Sequence, residues 1–291
     1  MAIETTSPFK QEKVHIHIEP THGWVALRLH ELWEYRELLY FLTWRDLKVR
    51  YKSSVLGFVW SLLNPLLMML VFTVMFTVLF PNNRIAHFPI FLLSGLLPWN
   101  FFSTAVIGSI GSIVNNAHLI KKVYFPREVL PISLVLAHAV NFLLALVVLF
   151  AMLFVFGIGV TPSVLLLPII MALQIALTVG LAFVLSTVNV FYRDTTVIME
   201  VVMQAWFFLT PVFCPIEYLP LSGAFLGLQL PIRRLVYIVN PMASIIASYR
   251  SVLYGSIDGS RPGLPGLDFF LRTALTALLV LVAGYLVFVR A

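Results

Sequence analysis

The chain has 291 residues, 60% hydrophobic and 11% charged, with a formal net charge of +6. A soluble domain carries about 45–50% apolar and about 25% charged residues, so a water-soluble enzyme is excluded. The uncharged intervals after Lys52, Arg84 and Glu128 run to 31, 36 and 64 residues. One helical crossing takes about 20 residues, so these intervals hold one, one and two spans.

Residues 1–54 read as a cytoplasmic N-terminal segment and 55–291 as a single transmembrane domain. Eight of the 19 Lys and Arg lie before residue 54. They read as topogenic charge facing anionic headgroups, not as a nucleic-acid surface. The first 30 residues are polar and lack the apolar core of a secretory signal, which places the N-terminus inside. Within 31–52, Leu32, Tyr35, Leu39 and Leu42 recur at helical spacing, as do Arg45, Lys48 and Lys52 on a charged strip. This pattern predicts an amphipathic helix lying flat on the membrane surface.

The first crossing is expected over 55–80, kinked at Asn64-Pro65. The second covers 88–114, its apolar sequence interrupted by Gly95, Pro98, Gly108 and Gly111. A polar loop over 115–127 carries Lys121, Lys122 and Arg127, and the third and fourth spans follow over 129–156 and 164–191. Arg193 and Asp194 then close the fourth span as a local ion pair. A fifth span starts near Thr196 and meets Pro211 and Pro215 too early for a full crossing. The segment 217–241, with three more prolines, reads as re-entrant half-helices, and 242–254 as a further half-helix carrying Arg250. The last span is 267–289.

The expected fold is therefore an all-α polytopic membrane protein with six spans and both termini cytoplasmic. That orientation places 13 Lys and Arg inside and six outside, in accord with the positive-inside rule. A crossing over 235–257 would make seven spans. Arg250 near its centre argues against this, because a lipid-facing mid-bilayer Arg costs about 2.5–3.5 kcal/mol.

Carboxylates are sparse: Glu128 is the sole Asp or Glu between Asp46 and Asp194. An ion-coupled carrier normally places ionisable groups at mid-membrane, so a gradient bound in these helices is not the expected energy source. No Gly-Lys-Ser or Gly-Lys-Thr occurs, which removes the phosphate loop of a P-loop ATPase. If ATP is used, a separate chain hydrolyses it. Enzyme chemistry lacks a carboxylate partner for His118 or His138, and each reads as a packing or hydrogen-bonded histidine. With Cys214 as the single cysteine, an internal disulfide and a cysteine metal cluster are excluded. Aromatics near span ends and breaks, among them Trp60, Trp99, Phe102, Trp206, Phe207 and Phe208, read either as an interfacial belt or as flat faces for sugar rings.

Four blocks carry a resemblance. They are Trp44-Arg45-Asp46-Leu47-Lys48-Val49-Arg50-Tyr51-Lys52 leading to Asn64-Pro65, and Leu119-Ile120-Lys121-Lys122-Val123-Tyr124-Phe125-Pro126-Arg127. Further on come Asn189-Val190-Phe191-Tyr192-Arg193-Asp194 and Asn240-Pro241. In this order they resemble permease subunits of ABC exporters for cell-surface polysaccharides, the type 2 ABC transporter membrane proteins. The resemblance implies a six-span half-transporter that dimerises and recruits two ATPase subunits, which hold the ATP and Mg while this chain binds no cofactor or metal.

It further implies that Lys121, Lys122, Tyr124, Phe125 and Arg127 form a coupling helix, with Arg193 and Asp194 as a second contact and Phe125 as the buried anchor of the partner interface. The strip Arg45, Lys48, Arg50 and Lys52 would receive a lipid diphosphate, and Trp60, Trp99 and Phe102 would line the glycan's path. An O-antigen-type polyprenyl-diphosphate-linked chain is the favoured substrate, exported across a bacterial inner membrane. Capsule and teichoic acid are alternatives, and a polyprenyl-dependent transferase and an ion-coupled flippase are more remote ones.

Overall fold

The computed structural model describes residues 29–52, 59–79, 85–215, 223–225, 228–230, 232–255 and 261–290. The chain enters through α1 (Leu29–Glu34) and α2 (Arg36–Tyr51), followed by α3 (Val59–Val74), which ends in a π-helical turn over Met75–Leu79. α4 (Phe88–Ile110) leads through the short α5 (Ser112–Asn115) and α6 (Ala117–Lys122) to α7 (Val129–Val155). A 3₁₀ turn at Pro162–Leu166 opens α8 (Leu167–Phe191), and α9 (Thr195–Leu209) follows. Strands β1 (Gly223–Phe225) and β2 (Leu228–Leu230), then α10 (Ile232–Val239), α11 (Pro241–Leu253) and α12 (Leu267–Arg290), complete the order.

Local sequence sets these boundaries. Proline stands in the first turn of α4, α8 and α11, where its missing N–H is no loss. α7 stops at Gly157, whose φ of 71° is left-handed, and the Ile158 N–H returns to the Leu153 carbonyl at 3.0 Å. That is the Schellman closure a glycine permits. Asn240 caps α11 by accepting from the Ala243 N–H at 3.2 Å.

α4 runs through the middle of the packing and touches α3, α7, α8, α9 and α11. The expected interruptions at Gly95 and Pro98 do not break it. Gln174 of α8, fully buried, donates to the Pro98 carbonyl at 2.7 Å. At Gly95 a methyl group would lie 2.6 Å from Arg250 Nη2, so the glycine makes room for an arginine from α11. α8 and α12 cross where Gly180 and Gly284 face each other. A Cβ on Gly180 would meet the Val280 carbonyl oxygen at 2.6 Å, the close backbone approach that small residues permit between membrane helices.

Among the described residues, four helices are long and apolar enough to cross a membrane: Phe88–Ile110, Val129–Val155, Pro162–Phe191 and Phe270–Arg290. Two shorter apolar helices cover Leu62–Val78 and Thr195–Leu209. α9 stops two residues before Pro211, so the run expected as a fifth span ends early, as its prolines indicated. α11, at 13 residues, is about 20 Å long. This is too short to cross a hydrocarbon core of about 30 Å.

Within 217–241, read as half-helices, the described residues form the antiparallel pair β1–β2 with Gly223 opposite Leu230, followed by the short helix α10. In Leu228-Gln229-Leu230 the apolar residues alternate with a polar one, a two-residue period that suits a strand. α2, read as an amphipathic surface helix, packs alongside α7. Thr43 reaches the Ser133 carbonyl at 3.4 Å, Arg50 reaches His138, and Tyr51 reaches Asn141. Partners advance together along both helices because α7 offers polar groups on the face that α2 covers.

Candidate functional site

Two regions gather the residues singled out by sequence. One is the loop between α5 and α7. Leu42 of α2, Phe125, Val129 and Leu130 form a small core of their own, flanked by Leu38, Leu39, Leu119 and Ile120. Phe125 is 6% exposed and Tyr124 60%. Lys121, Lys122 and Arg127 are all exposed, so the outward surface of this loop is Tyr124 ringed by three cations. The anchor assigned to Phe125 is thus turned inward, where its ring fastens the loop to α2. Arg45 adds a second tie, donating to Asn116 Oδ1 at 3.3 Å while its other nitrogens pair with Asp46 at 2.8 and 2.9 Å.

Arg193 and Asp194 lie exposed at the turn between α8 and α9. The ion pair expected between them does not form among the described residues, where Arg45 to Asp46 is the salt bridge present. Thr195 closes this turn instead, its hydroxyl donating to the Tyr192 carbonyl at 2.5 Å. Both charges are thereby left pointing outward.

The second region is a cavity of about 340 Å³ bounded by α2, α3, α4 and α7. The cationic strip divides here. Lys48 lies 5.5 Å from the centre of the Trp44 ring and Lys52 stays exposed, whereas Arg50 turns into the cavity and donates to His138 Nε2 at 2.7 Å. A guanidinium can only donate, so the histidine nitrogen is the acceptor. A Cβ on Gly108 would come 3.0 Å from the same Nε2, which identifies Gly108 as the space that seats the ring. Beside this pair the Tyr51 hydroxyl donates to Asn141 Oδ1 at 2.5 Å. Trp60 and Asn64 supply the α3 wall and Asn100 and Thr104 the α4 wall.

Of the three expected conduit aromatics, Trp60 alone is open, at 50% exposure. Trp99 and Phe102 are 4% and 0% exposed and belong to a cluster with α9, with ring centres 5.6 Å from Trp99 to Phe207 and 5.3 Å from Phe102 to Trp206. Trp206 in turn donates its indole N–H to Asn240 Oδ1 at 3.0 Å. These rings hold α4, α9 and the start of α11 together.

His138, which sequence treats as a packing or hydrogen-bonded residue, is hydrogen-bonded as expected, yet it also lines the cavity. Asn100 and Asn141 were missed. The available signal was an amide inside an otherwise apolar span, a costly placement unless something polar faces it. Arg250 is 8% exposed. It donates to the carbonyls of Pro211 and Val212, and its guanidinium carbon stands 3.8 Å from the Phe91 ring centre. It faces protein, which is how α11 carries it without exposing charge to lipid.

No metal-binding group of three or more His, Cys, Asp or Glu exists among the described residues. What the two regions can do is grip a soluble partner at a cationic, tyrosine-tipped loop and accommodate a polar group beside the Arg50 guanidinium. Residues 37–254 match the ABC-2 type transporter family. The chain belongs to this family. It is 39% identical over 224 residues, covering 77% of this chain and 83% of the other, to an O-antigen export system permease protein of Myxococcus xanthus. It is 34% identical over 76% of its length to a Klebsiella pneumoniae protein of the same name, 82% of which is covered. A polysialic acid transport protein of Escherichia coli is 25% identical over 60% of this chain and 69% of its own length. Membership of an ABC-2 permease family agrees with a multi-pass membrane protein that is not itself an enzyme.

Proposed function

We propose that this chain is the membrane-spanning subunit of an ATP-driven exporter for a polyprenyl-diphosphate-linked polysaccharide of O-antigen type, working in a bacterial inner membrane. The observation that carries the reading is the 39% identity to an O-antigen export permease across 77% of the chain. The capsule alternative rests on a weaker match, 25% over 60%.

In this reading α3 with its π turn and α9 join the four longer helices to make six spans. α10 and α11 are re-entrant elements on the outer side, and both termini are cytoplasmic. Two copies associate, because six helices are too few to enclose a glycan, and the apolar residues exposed on α3, α9 and α12 supply surface for a twofold contact. Two ATPase subunits, which carry the ATP and Mg, dock on Tyr124 with Lys121, Lys122 and Arg127 around it, and on Arg193 and Asp194. Phe125 stands behind that surface and passes its movement to α2. Arg45, Lys48, Arg50 and Lys52 form the receiving side for the lipid diphosphate. Trp60 offers an open ring to the glycan, while Trp99 and Phe102 support the wall behind it.

Expression in cells whose own O-antigen permease is deleted, together with the cognate ATPase, tests this. Surface polysaccharide should return with both chains and with neither alone. Return of the polymer without the ATPase overturns the reading.

A further inference from the structure

We propose that the cavity between α2, α3, α4 and α7 binds the glycosyl phosphate at the lipid-proximal end of the glycan, phosphate on Arg50 and sugar on Asn64, Asn100 and Trp60. This rests on the export reading above and specifies which part of the substrate the permease recognises before the polymer moves.

Size sets the first limit. At about 340 Å³ the cavity lies at the small end of the range of about 300–1,000 Å³ for small-molecule sites. That space suits one sugar with its phosphate. Depth sets the second. His138 and Asn141 lie nine and twelve residues into α7, and Asn100 ten residues from the α4 end, which is about 13–18 Å at 1.5 Å per residue. A head group tethered to a membrane-embedded polyprenyl chain can reach such a place; a freely soluble polymer segment has no reason to.

Charge selects the phosphate. Among the described residues no Asp or Glu lines the cavity, and the nearest carboxylate along α2, that of Asp46, is held by Arg45. Arg50 therefore meets a histidine nitrogen and brings no anion with it. A guanidinium offers five donors in a fixed fork suited to phosphate oxygens; a neutral imidazole has one acceptor nitrogen, so the bond to His138 Nε2 leaves others for a ligand. Swinging from His138 to a phosphate exchanges a neutral acceptor for a charged one.

The remaining walls select a sugar. The carboxamides of Asn64 and Asn100 make no hydrogen bond among the described residues, although both line the cavity. Each offers two donors and an acceptor, the complement of vicinal hydroxyls. Trp60, half exposed on the same wall, supplies the flat apolar face on which a pyranose ring stacks. A phosphatidylglycerol head would use Arg50 and could offer its glycerol hydroxyls to the amides, but it has no pyranose face for Trp60.

The test uses the permease–ATPase complex in phosphatidylcholine nanodiscs and measures binding of radiolabelled glucose 1-phosphate, with glucose, inorganic phosphate and phosphatidylglycerol as competitors. Glucose 1-phosphate should bind, and it should compete better than either glucose or phosphate alone. Arg50→Gln should weaken it by about tenfold or more, with partial recovery in Arg50→Lys. Asn100→Leu and Asn64→Leu, whose amides hold no part of the fold, should weaken glucose 1-phosphate while leaving competition by inorganic phosphate unchanged. Equal displacement by phosphatidylglycerol assigns the cavity to bulk lipid and overturns the proposal, as do unchanged binding in all four variants and an absence of binding to the native complex. ATP-driven export by the same native preparation separates the two readings: export without glucose 1-phosphate binding sinks this proposal alone, and loss of export itself sinks the function beneath it.

Discussion

Replacing Phe125 by alanine separates a buried ring from a docking ring. The side chain is 6% exposed and packs on Leu42, Val129 and Leu130. Phe→Ala in a core costs about 3–5 kcal/mol. This cluster is small and peripheral, with room to collapse, which puts the loss at the lower end, about 3 kcal/mol. The loss falls on the contact that fastens α2 to the loop, so α2 should open about two decades more often, at tenfold per 1.4 kcal/mol. Hydrogen–deuterium exchange of peptides from 36–51, in nanodiscs without the ATPase, reads this directly. Tyr124→Ala is the counterpart: its ring is 60% exposed, so exchange in α2 should not change, whereas ATPase co-purification should fall by about tenfold, as expected for an interface anchor. Unchanged α2 exchange in Phe125→Ala, together with lost co-purification, would mean that the ring is buried by the partner and not by α2. That result would refute the reasoning.

Gly180→Leu or Gly284→Leu should destabilise the crossing of α8 and α12, because no methyl group fits between the two backbones. A lower melting temperature in detergent checks it, and a native-like value contradicts it. Arg250→Leu removes donors from the Pro211 and Val212 carbonyls at a cost of about 1–3 kcal/mol for each group left unsatisfied. Gly95→Val should produce a similar loss by displacing the same guanidinium, and unequal melting temperatures in the two variants would argue against a shared clamp. Trp60→Leu should lower polysaccharide export while leaving the fold intact. Trp99→Leu should lower thermal stability first, since its indole is 4% exposed within the aromatic cluster; surface-glycan immunoblots alongside melting curves distinguish the two. Arg193→Ala and Asp194→Ala should weaken ATPase co-purification without changing stability, as both side chains are exposed, and unchanged co-purification would remove this turn from the interface.

The sequence made the helices legible wherever apolar length decided the matter. α4, α7, α8 and α12 begin within a few residues of where their apolar sequence begins, and all but α4, which ends at Ile110, also end where it does. Irregular stretches were less legible. Prolines at 220, 231 and 241 showed that long helices could not form, yet they could not distinguish half-helices from the two short strands between them. The packing partner of α2 was hidden for another reason. Its amphipathic pattern gives no partner, and the polar residues of α7 that it meets lie about 90 positions away. The same distance hid the site. Arg50 read as one member of a charged strip, His138 as a packing or hydrogen-bonded residue, and Asn100 and Asn141 as nothing in particular, until the fold set them around one cavity. Phe125 shows a different gap: a motif does not say which of two adjacent aromatics faces outward, and here Tyr124 is exposed while Phe125 is buried.

The central claim is that this chain moves a lipid-linked glycan only when a separate ATPase drives it. Reconstitution into proteoliposomes tests it directly, with a lipid-linked O-antigen-type glycan in the outer leaflet, the leaflet in contact with added ATP, and its passage followed by loss of accessibility to an external glycosidase. Permease and ATPase together should protect the glycan upon ATP addition, and a hydrolysis-deficient ATPase should not. Protection by the permease alone, or by the pair without ATP, would contradict the account.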